Sequence, residues 1–340
     1  MRAMVLCAGF GTRLRPLTDK IPKPLVPLCG LPLLRYNFAL LKNAGVEEIV
    51  VNTHHLGRDM EQGARDLARE LGIALHVSRE EKQILGTGGG VRRAEKLLGT
   101  GTFYLLNGDM IFDVDLGAAL AAHRKAGAVA TMVLAPYPRG ATYGAVEVDA
   151  GMNVRRIAGR GAAPEPALTR AHFTGVHILE PPLIARLPAE GESDINRTAY
   201  VRAIHDGAKI HGFMQNGYWG DLGAPRSLLR AHLDVLEGRV PLLRFRPGSD
   251  PFADCAEIAP GVYVHRTAQV DSRLRAPALI HAGARIEAGA ILGSGVVVGA
   301  GARIDTGAQV ERAVVWPGTH VAPGERVIDQ IAAPGVRLDC

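Results

Sequence analysis

At 340 residues, 47% hydrophobic and 21% charged, the chain is long enough for two domains with buried cores, and its composition excludes a disordered or fibrous protein. The formal charge of +5 is spread along the sequence and not gathered into a block, so no nucleic-acid groove is indicated, while a modest positive excess suits small phosphorylated substrates. Cys7, Cys29, Cys255 and Cys340 have no paired spacing, which excludes a CxxC metal or redox site and points to reduced thiols in a cytoplasm.

The first apolar run, 3–8 (AMVLCA), stops at Gly9 and reads as a strand buried on both faces. It is shorter than a signal-peptide core, and Leu6 before Cys7 is too large for a lipoprotein cleavage site, so no leader is expected. No stretch approaches about 20 uninterrupted apolar residues, so no membrane span is expected either. Similar runs at 48–52, 102–107 and 129–134 predict further strands. Segments 33–44, 59–71 and 116–126, ending at Gly45, Gly72 and Gly127, predict the helices between them. This alternation predicts an α/β fold: a Rossmann-like, mostly parallel sheet with helices on both faces, binding ligands beyond the carboxyl ends of its strands.

The pattern changes after residue 237. Residues 238–260 carry four prolines and no periodicity. Beyond them Ile280, Ile286, Leu292, Val298, Ile304 and Val310 follow one another every six residues, and Gly283, Gly289, Gly295, Gly301 and Gly307 keep the same period. That period predicts a hexapeptide β-helix, with one aliphatic per repeat pointing inward.

Three segments carry chemistry. The first is LCAGFGTRLRPLTDKIPKPL, from Leu6 to Leu25, a glycine-rich turn after the first strand followed by a proline-punctuated loop with two cations, Arg13 and Lys23. It matches neither GxxxxGK[ST] nor the dinucleotide fingerprint. Backbone N–H groups there can approach phosphate, and the cations can face charge developing at phosphorus. The second is EEKQILGTGGG, from Glu80 to Gly90, where successive glycines imply a close approach. The third pairs LLNGD, ending in Asp109, with GYWGDLGAP, containing Asp221; carboxylates at a strand edge suit Mg²⁺. Asp113 and Asp115 read as helix caps, and Asp221 can also be read as the cap of the helix that follows it.

Gly9-x-Gly11-Thr12-Arg13-Leu14-x-Pro16-Leu17-Thr18 with Pro22-Lys23-Pro24-Leu25 resembles the signature of the sugar-1-phosphate nucleotidylyltransferases, a family that includes mannose-1-phosphate guanylyltransferases and N-acetylmuramate-1-phosphate uridylyltransferase. The resemblance implies a catalytic domain of the nucleotide-diphospho-sugar transferase type over 1–237, a linker over 238–261, a left-handed parallel β-helix over 262–330 and a tail over 331–340. It implies that Arg13 and Lys23 neutralise phosphate, that Asp109 and Asp221 hold Mg²⁺, and that Leu6, Ala8, Gly9, Gly11, Thr12, Arg13, Gly86, Thr87, Asn107 and Gly108 line the nucleotide. Five residues before Gly86 the family carries a base-reading side chain, here Glu81. A carboxylate can accept from the donors of a guanine edge, which favours GTP; an exposed charge in an acidic turn is an equal reading.

On the sugar side Tyr143, Gly144, Thr174 and Gly175 fall in family-like segments, and Lys23 is expected to reach the sugar phosphate as well. The family's E-K-P sequence is replaced by Gly159-Arg160-Gly161, leaving Arg160 as the candidate phosphate ligand. The substrates implied are a nucleoside triphosphate and a sugar 1-phosphate, with GTP and mannose 1-phosphate favoured and UTP or dTTP with a glucose- or N-acetylmuramate-type sugar as alternatives. A homo-oligomer formed through the β-helix or the catalytic domain is also expected. Two other readings remain: a hexapeptide acyltransferase, using His265, His281 or His320 as base, and a catalytically silent regulatory subunit. His54 and His55 are further candidates for the pocket wall.

Overall fold

The computed structural model describes every residue except Thr142, Tyr143 and Pro166, so the expectation for Tyr143 lies outside the described residues. The chain divides into two compact units. The first comprises Met1–Phe10, Asn37–Gly108 and Phe112–Trp219, and the second Gly11–Tyr36, Asp109–Ile111 and Gly220–Cys340.

The first unit is built on a mixed α/β sheet whose centre is parallel. Strand Arg2–Leu6 pairs in parallel with Glu48–Thr53 and with Phe103–Asn107, and Glu48–Thr53 pairs with Ala74–Arg79. Numbered as they occur in the chain, these strands lie in the order 3-2-1-4. The order reverses between the first and fourth strands, and ligands of such sheets bind beyond the carboxyl ends at that reversal. Ala3, Met4 and Val5 are all fully buried although successive side chains point to opposite faces, so both faces of the sheet are covered. On one face Met4, Val50 and Leu105 share a core with Val91, Ala94 and Leu98 of helix Gly86–Leu98.

Beyond Phe103–Asn107 the sheet turns antiparallel at Thr169–Leu179, which also pairs with Ala130–Pro136 and Val146–Val148. The sequence showed the continuous apolar runs but not this antiparallel flank. At its edge Val146–Val148, Val154–Ile157 and Arg160–Gly161 follow one another through short turns, and short turns permit only antiparallel pairing. Helices Gly57–Leu71 and Leu116–Ala126 end at Gly72 and Gly127, both left-handed, as their sequences predict.

In the second unit residues 262–333 form parallel strands in three sheets. Val262–His265, Ala278–Ile280, Val296–Val298, Ala313–Val315 and Gln330–Ala333 stack in one; strands beginning at Gln269, Arg285, Arg303 and His320 form another; those beginning at Ile291, Gln309 and Arg326 form the third. The period-six aliphatics from Ile280 to Val310 are no more than 2% exposed and share one core. Residues 238–261 contain a helical turn at Leu242–Arg244 and strand Cys255–Ala259, which pairs antiparallel with Val262–His265. At the other end Val336–Asp339 folds back on Gln330–Ala333, and its exposed Arg337 and Asp339 discourage further edge pairing.

The loop that carries Lys23 continues into a hairpin, Pro27–Leu28 with Leu31–Pro32, packed within this same unit. At the hairpin tip the Cys29 N–H donates to His232 Nδ1 at 3.0 Å, and a Cβ on Gly30 would lie 2.4 Å from His281 Nε2. Tyr36 donates to the Leu28 carbonyl and meets Phe245 edge-on. Arg35 donates to the Gly248 carbonyl. His232 comes from helix Pro225–Leu236 and His281 from the coil, so both anchor the hairpin.

Burial pushes His232 down to about 3 and His281 down to about 4, from an ordinary value of 6.5. Both rings are neutral when folded and take up protons on unfolding. Their contribution is therefore complete above the ordinary value and is lost as pH falls toward the folded values. Melting followed at pH 7.5 and pH 5 should give a lower Tm at pH 5, and His281→Gln should narrow the gap; an unchanged gap would rule out this contribution.

Candidate active site

The four residues expected to carry the chemistry all fall in the second unit, and the structure brings them together. After Gly11, which is left-handed with φ +63°, the chain makes three short helical turns at Thr12–Leu14, Leu17–Asp19 and Lys23–Leu25. The Thr18 hydroxyl donates to the Gly11 carbonyl at 2.8 Å and closes the first part of the loop. Thr12 and Arg13 stay exposed at its rim, while Lys23 is only 7% exposed.

Lys23 Nζ forms an ion pair with Asp109 Oδ2 and lies 4.0 Å from Asp221 Oδ1. Arg13 approaches the other oxygen of Asp221 at 3.5 Å. A Cβ on Gly223 would sit 2.2 Å from the Arg13 guanidinium, so glycine there leaves the space Arg13 occupies. The carboxylates come into register because Met110–Phe112 pairs with Trp219–Asp221, with the Leu222 N–H donating to the Asp109 carbonyl. Asp221 is not a helix cap: the following helix is Pro225–Leu236, and Ala224 is its N-cap. Asp115 is a cap, accepting from the Ala118 N–H at 2.8 Å.

Asp221 Oδ1 is buried and accepts no hydrogen bond. A buried carboxylate oxygen without a donor is expensive unless a cation faces it. Among the described residues no group of three or more His, Cys, Asp or Glu is arranged as a metal site. Mg²⁺ is commonly held by one or two carboxylates completed by phosphate oxygens and water, so Asp109 and Asp221 fit that ion.

The remaining nucleotide-side residues lie in the first unit. Leu6 pairs with Asn107 at the ends of their strands, and Ala8 and Gly9 follow, with nothing within 4 Å of a Cβ on Gly9. A Cβ on Gly108 would lie 2.7 Å from the Leu6 carbonyl, to which Gly108 already donates. Gly86 opens helix Gly86–Leu98, so the glycine run is inside the helix and not before it. The run is explained by backbone crowding: a Cβ on Gly86 would lie 2.7 Å from the Ser193 carbonyl, and one on Gly89 2.5 Å from the Gly191 carbonyl. The Thr87 hydroxyl accepts from the Ile195 N–H at 2.9 Å. Glu81 is exposed between two clefts of about 580 and 360 Å³ and lines both.

The residues expected on the sugar side have structural partners. The Thr174 hydroxyl donates to the Val133 carbonyl at 2.8 Å, and Gly175 lies in a bulge of its strand with φ +89°. A Cβ on Gly144 would lie 2.3 Å from the Ala158 Cβ. Arg160 is exposed beside a two-residue turn. Phe10, 39% exposed, stands against His54 and His55, and His54 Nδ1 lies 2.6 Å from the Glu80 carbonyl. His265 and His320 pair locally with Thr267 and Asp305.

Sequence reading missed Asn52 and Glu80, which are buried side by side at 3% and 2% exposure. The strand leading into Glu80 gave no signal, because its apolar Leu75 and Val77 share the parity of Glu81 and not of Glu80.

Residues 2–238 match the nucleotidyl transferase family, and the chain belongs to it. It is 29% identical to the UTP–glucose-1-phosphate uridylyltransferase of Synechocystis over 97% of this chain and 87% of that protein. It is 32% identical to the mannose-1-phosphate guanylyltransferase of Mycobacterium tuberculosis over 76% of this chain and 72% of that one. A putative glucose-1-phosphate thymidylyltransferase structure from Bacillus anthracis shares the fold with a TM-score of 0.58 and 21% identity, over 68% of this chain and 94% of that one.

The ion pairing assigns Lys23 a definite test. Lys23→Met keeps the stem but leaves two carboxylates without their ammonium. Pyrophosphate release should fall at least ~100-fold with the fold intact by circular dichroism, the scale of losing one preorganised charge. Near-normal release would remove Lys23 from the chemistry.

Proposed function

We propose that the protein transfers a nucleoside monophosphate from a nucleoside triphosphate to a sugar 1-phosphate, releasing pyrophosphate, with GTP and mannose 1-phosphate as its substrates. The observation that carries this reading is the buried Lys23 ammonium set between Asp109 and Asp221, with Arg13 beside them. A sugar-phosphate oxygen attacks the α-phosphorus and pyrophosphate departs. Lys23 offsets charge on the phosphates being joined, and the exposed Arg13 guanidinium follows charge onto the leaving group. Asp109 and Asp221 would hold Mg²⁺, which supplies charge neutralisation at the triphosphate when bound. No side chain need form a covalent intermediate, because positioning and charge account for most of such a rate.

Glu81 at the mouth of its clefts supports a guanine-reading role. The guanylyltransferase relative supports GTP, and the uridylyltransferase relative, alignable over nearly the whole chain, supports UTP with glucose 1-phosphate as the second reading. Pyrophosphate release measured with GTP, UTP, dTTP and CTP against mannose, glucose and N-acetylated sugar 1-phosphates decides between them. The highest kcat/KM is expected for GTP with mannose 1-phosphate, release should stop with a chelator, and no release in any combination would end the proposal.

We also infer that the C-terminal coil is a left-handed hexapeptide β-helix that joins copies of the chain into a homo-oligomer. Its period of six and its three parallel sheets support the first part. Free cysteines and triphosphate chemistry support a cytoplasmic setting. No described helix is long and apolar enough to cross a membrane. Light scattering on the whole chain should return a multiple of 36.1 kDa; a monomer would overturn the assembly.

A further inference from the structure

Beyond the four charged residues, the first unit contains a buried polar relay that none of the chemistry above uses. The Asn52 side chain lies at the carboxyl end of strand Glu48–Thr53 and is 3% exposed. Its Oδ1 accepts from the Cys7 N–H at 2.8 Å, and its Nδ2 donates to Glu80 Oε1 at 2.7 Å. The other oxygen of Glu80 accepts from the Leu85 N–H at 2.7 Å, and the Glu80 N–H donates to the Thr53 carbonyl. A Cβ on Gly90 would lie 2.9 Å from both the Asn52 amide nitrogen and the Glu80 carboxylate, so the helix is packed directly on the pair.

We propose that Asn52 and Glu80 are positioning residues for nucleotide binding, fixing the spacing between the end of the first strand at Cys7 and the turn into Gly86–Leu98. This rests on the nucleotidyl-transfer reading, which assigns those two backbone segments to the triphosphate and the base. The chemistry of each partner is dictated by the two N–H groups at the ends of the relay. Cys7 offers a donor, so Asn52 must turn its oxygen there and its NH₂ toward residue 80. Leu85 also offers a donor, so residue 80 must accept on both sides, which a carboxylate does and an amide does not. Glu80 is therefore required as a carboxylate, because both of its oxygens are taken by protein donors. Its exposed neighbour Glu81 lines the same two clefts that Glu80 borders from its buried position, so two adjacent acids differ in exposure and in what they hold.

Glu80→Gln tests the relay, because it turns an N–H toward another donor. Asn52→Asp combined with Glu80→Gln reverses the polarity of the central bond and restores an acceptor at every position. Binding of each nucleoside triphosphate is measured by calorimetry on the whole chain, alongside Tm and the KM for sugar 1-phosphate. Glu80→Gln should weaken triphosphate binding about tenfold, the scale of one buried donor left without an acceptor. The KM for sugar 1-phosphate should stay within twofold, and the double variant should recover to within about threefold of the parent. Glu80→Gln binding like the parent, or a double variant no better than Glu80→Gln although both melt cooperatively, overturns the proposal. Equal losses for triphosphate and sugar phosphate also overturn it, since they mark general loosening. A parent chain that binds triphosphate and shows this pattern, yet releases no pyrophosphate, would refute the transfer reading and leave the relay standing.

Discussion

An ammonium group that is 7% exposed has to be paired or give up its proton, and Lys23 meets that demand with two carboxylates from distant parts of the chain. Asp109 follows the fourth strand and Asp221 precedes the last helix of the family segment. They meet because residues 109–113 pair with residues 218–222, through the Leu222 N–H on the Asp109 carbonyl and the Asp113 N–H on the Tyr218 carbonyl. The pairing brings two like charges together, and their repulsion is relieved by the lysine between them. Each carboxylate makes the other's position costly unless a cation is present, so the arrangement favours cationic occupants and, with them, the phosphates that follow.

The lysine in turn depends on what lies behind its loop. Lys23–Leu25 is one helical turn, and two residues later the chain enters the hairpin that ends at Cys29 and Gly30. That tip is gripped by His232 and His281, while Phe245 and Gly248 meet Tyr36 and Arg35 of the helix that follows the hairpin. The coil therefore belongs to the same compact unit as Arg13 and Lys23. Displacing the coil would remove one of the partners that hold the hairpin tip, and with it part of the support behind the turn that carries Lys23.

Motifs whose meaning is local were the legible part of the sequence. Arg13, Lys23, Asp109 and Asp221 could be picked from short segments, and the period-six aliphatics announced a shared core before any contact was known. The parallel strands were readable as apolar runs, yet the antiparallel flank was not, because register across a sheet has no local signature. In the sequence the glycines at 86, 88 and 89 imply a close approach. In the structure they also accommodate the backbone at 191–195, a long-range contact that a single sequence does not encode visibly. Residues 238–261 lacked periodicity because their partners are scattered: Phe245 packs on Tyr36, and Cys255–Ala259 pairs with the first strand of the coil.

The sugar side shows why substrate identity is harder to read than reaction class. Ala158 and Gly159, with φ of +48° and +77°, form the two-residue turn between Ile157 and Arg160, and that twist explains glycine at 159 without any ligand. Arg156 braces the turn by donating to the Gly159 carbonyl and pairing with Glu147. Thr174 spends its hydroxyl on Val133, and its carbonyl accepts from the Trp219 indole N–H. Residues expected as sugar ligands thus have packing partners of their own, whereas packing alone gains little from a lysine buried between two aspartates. Recognition of the sugar falls to groups the backbone leaves open, and of the cations expected there Arg160 alone projects from this turn with its side chain exposed.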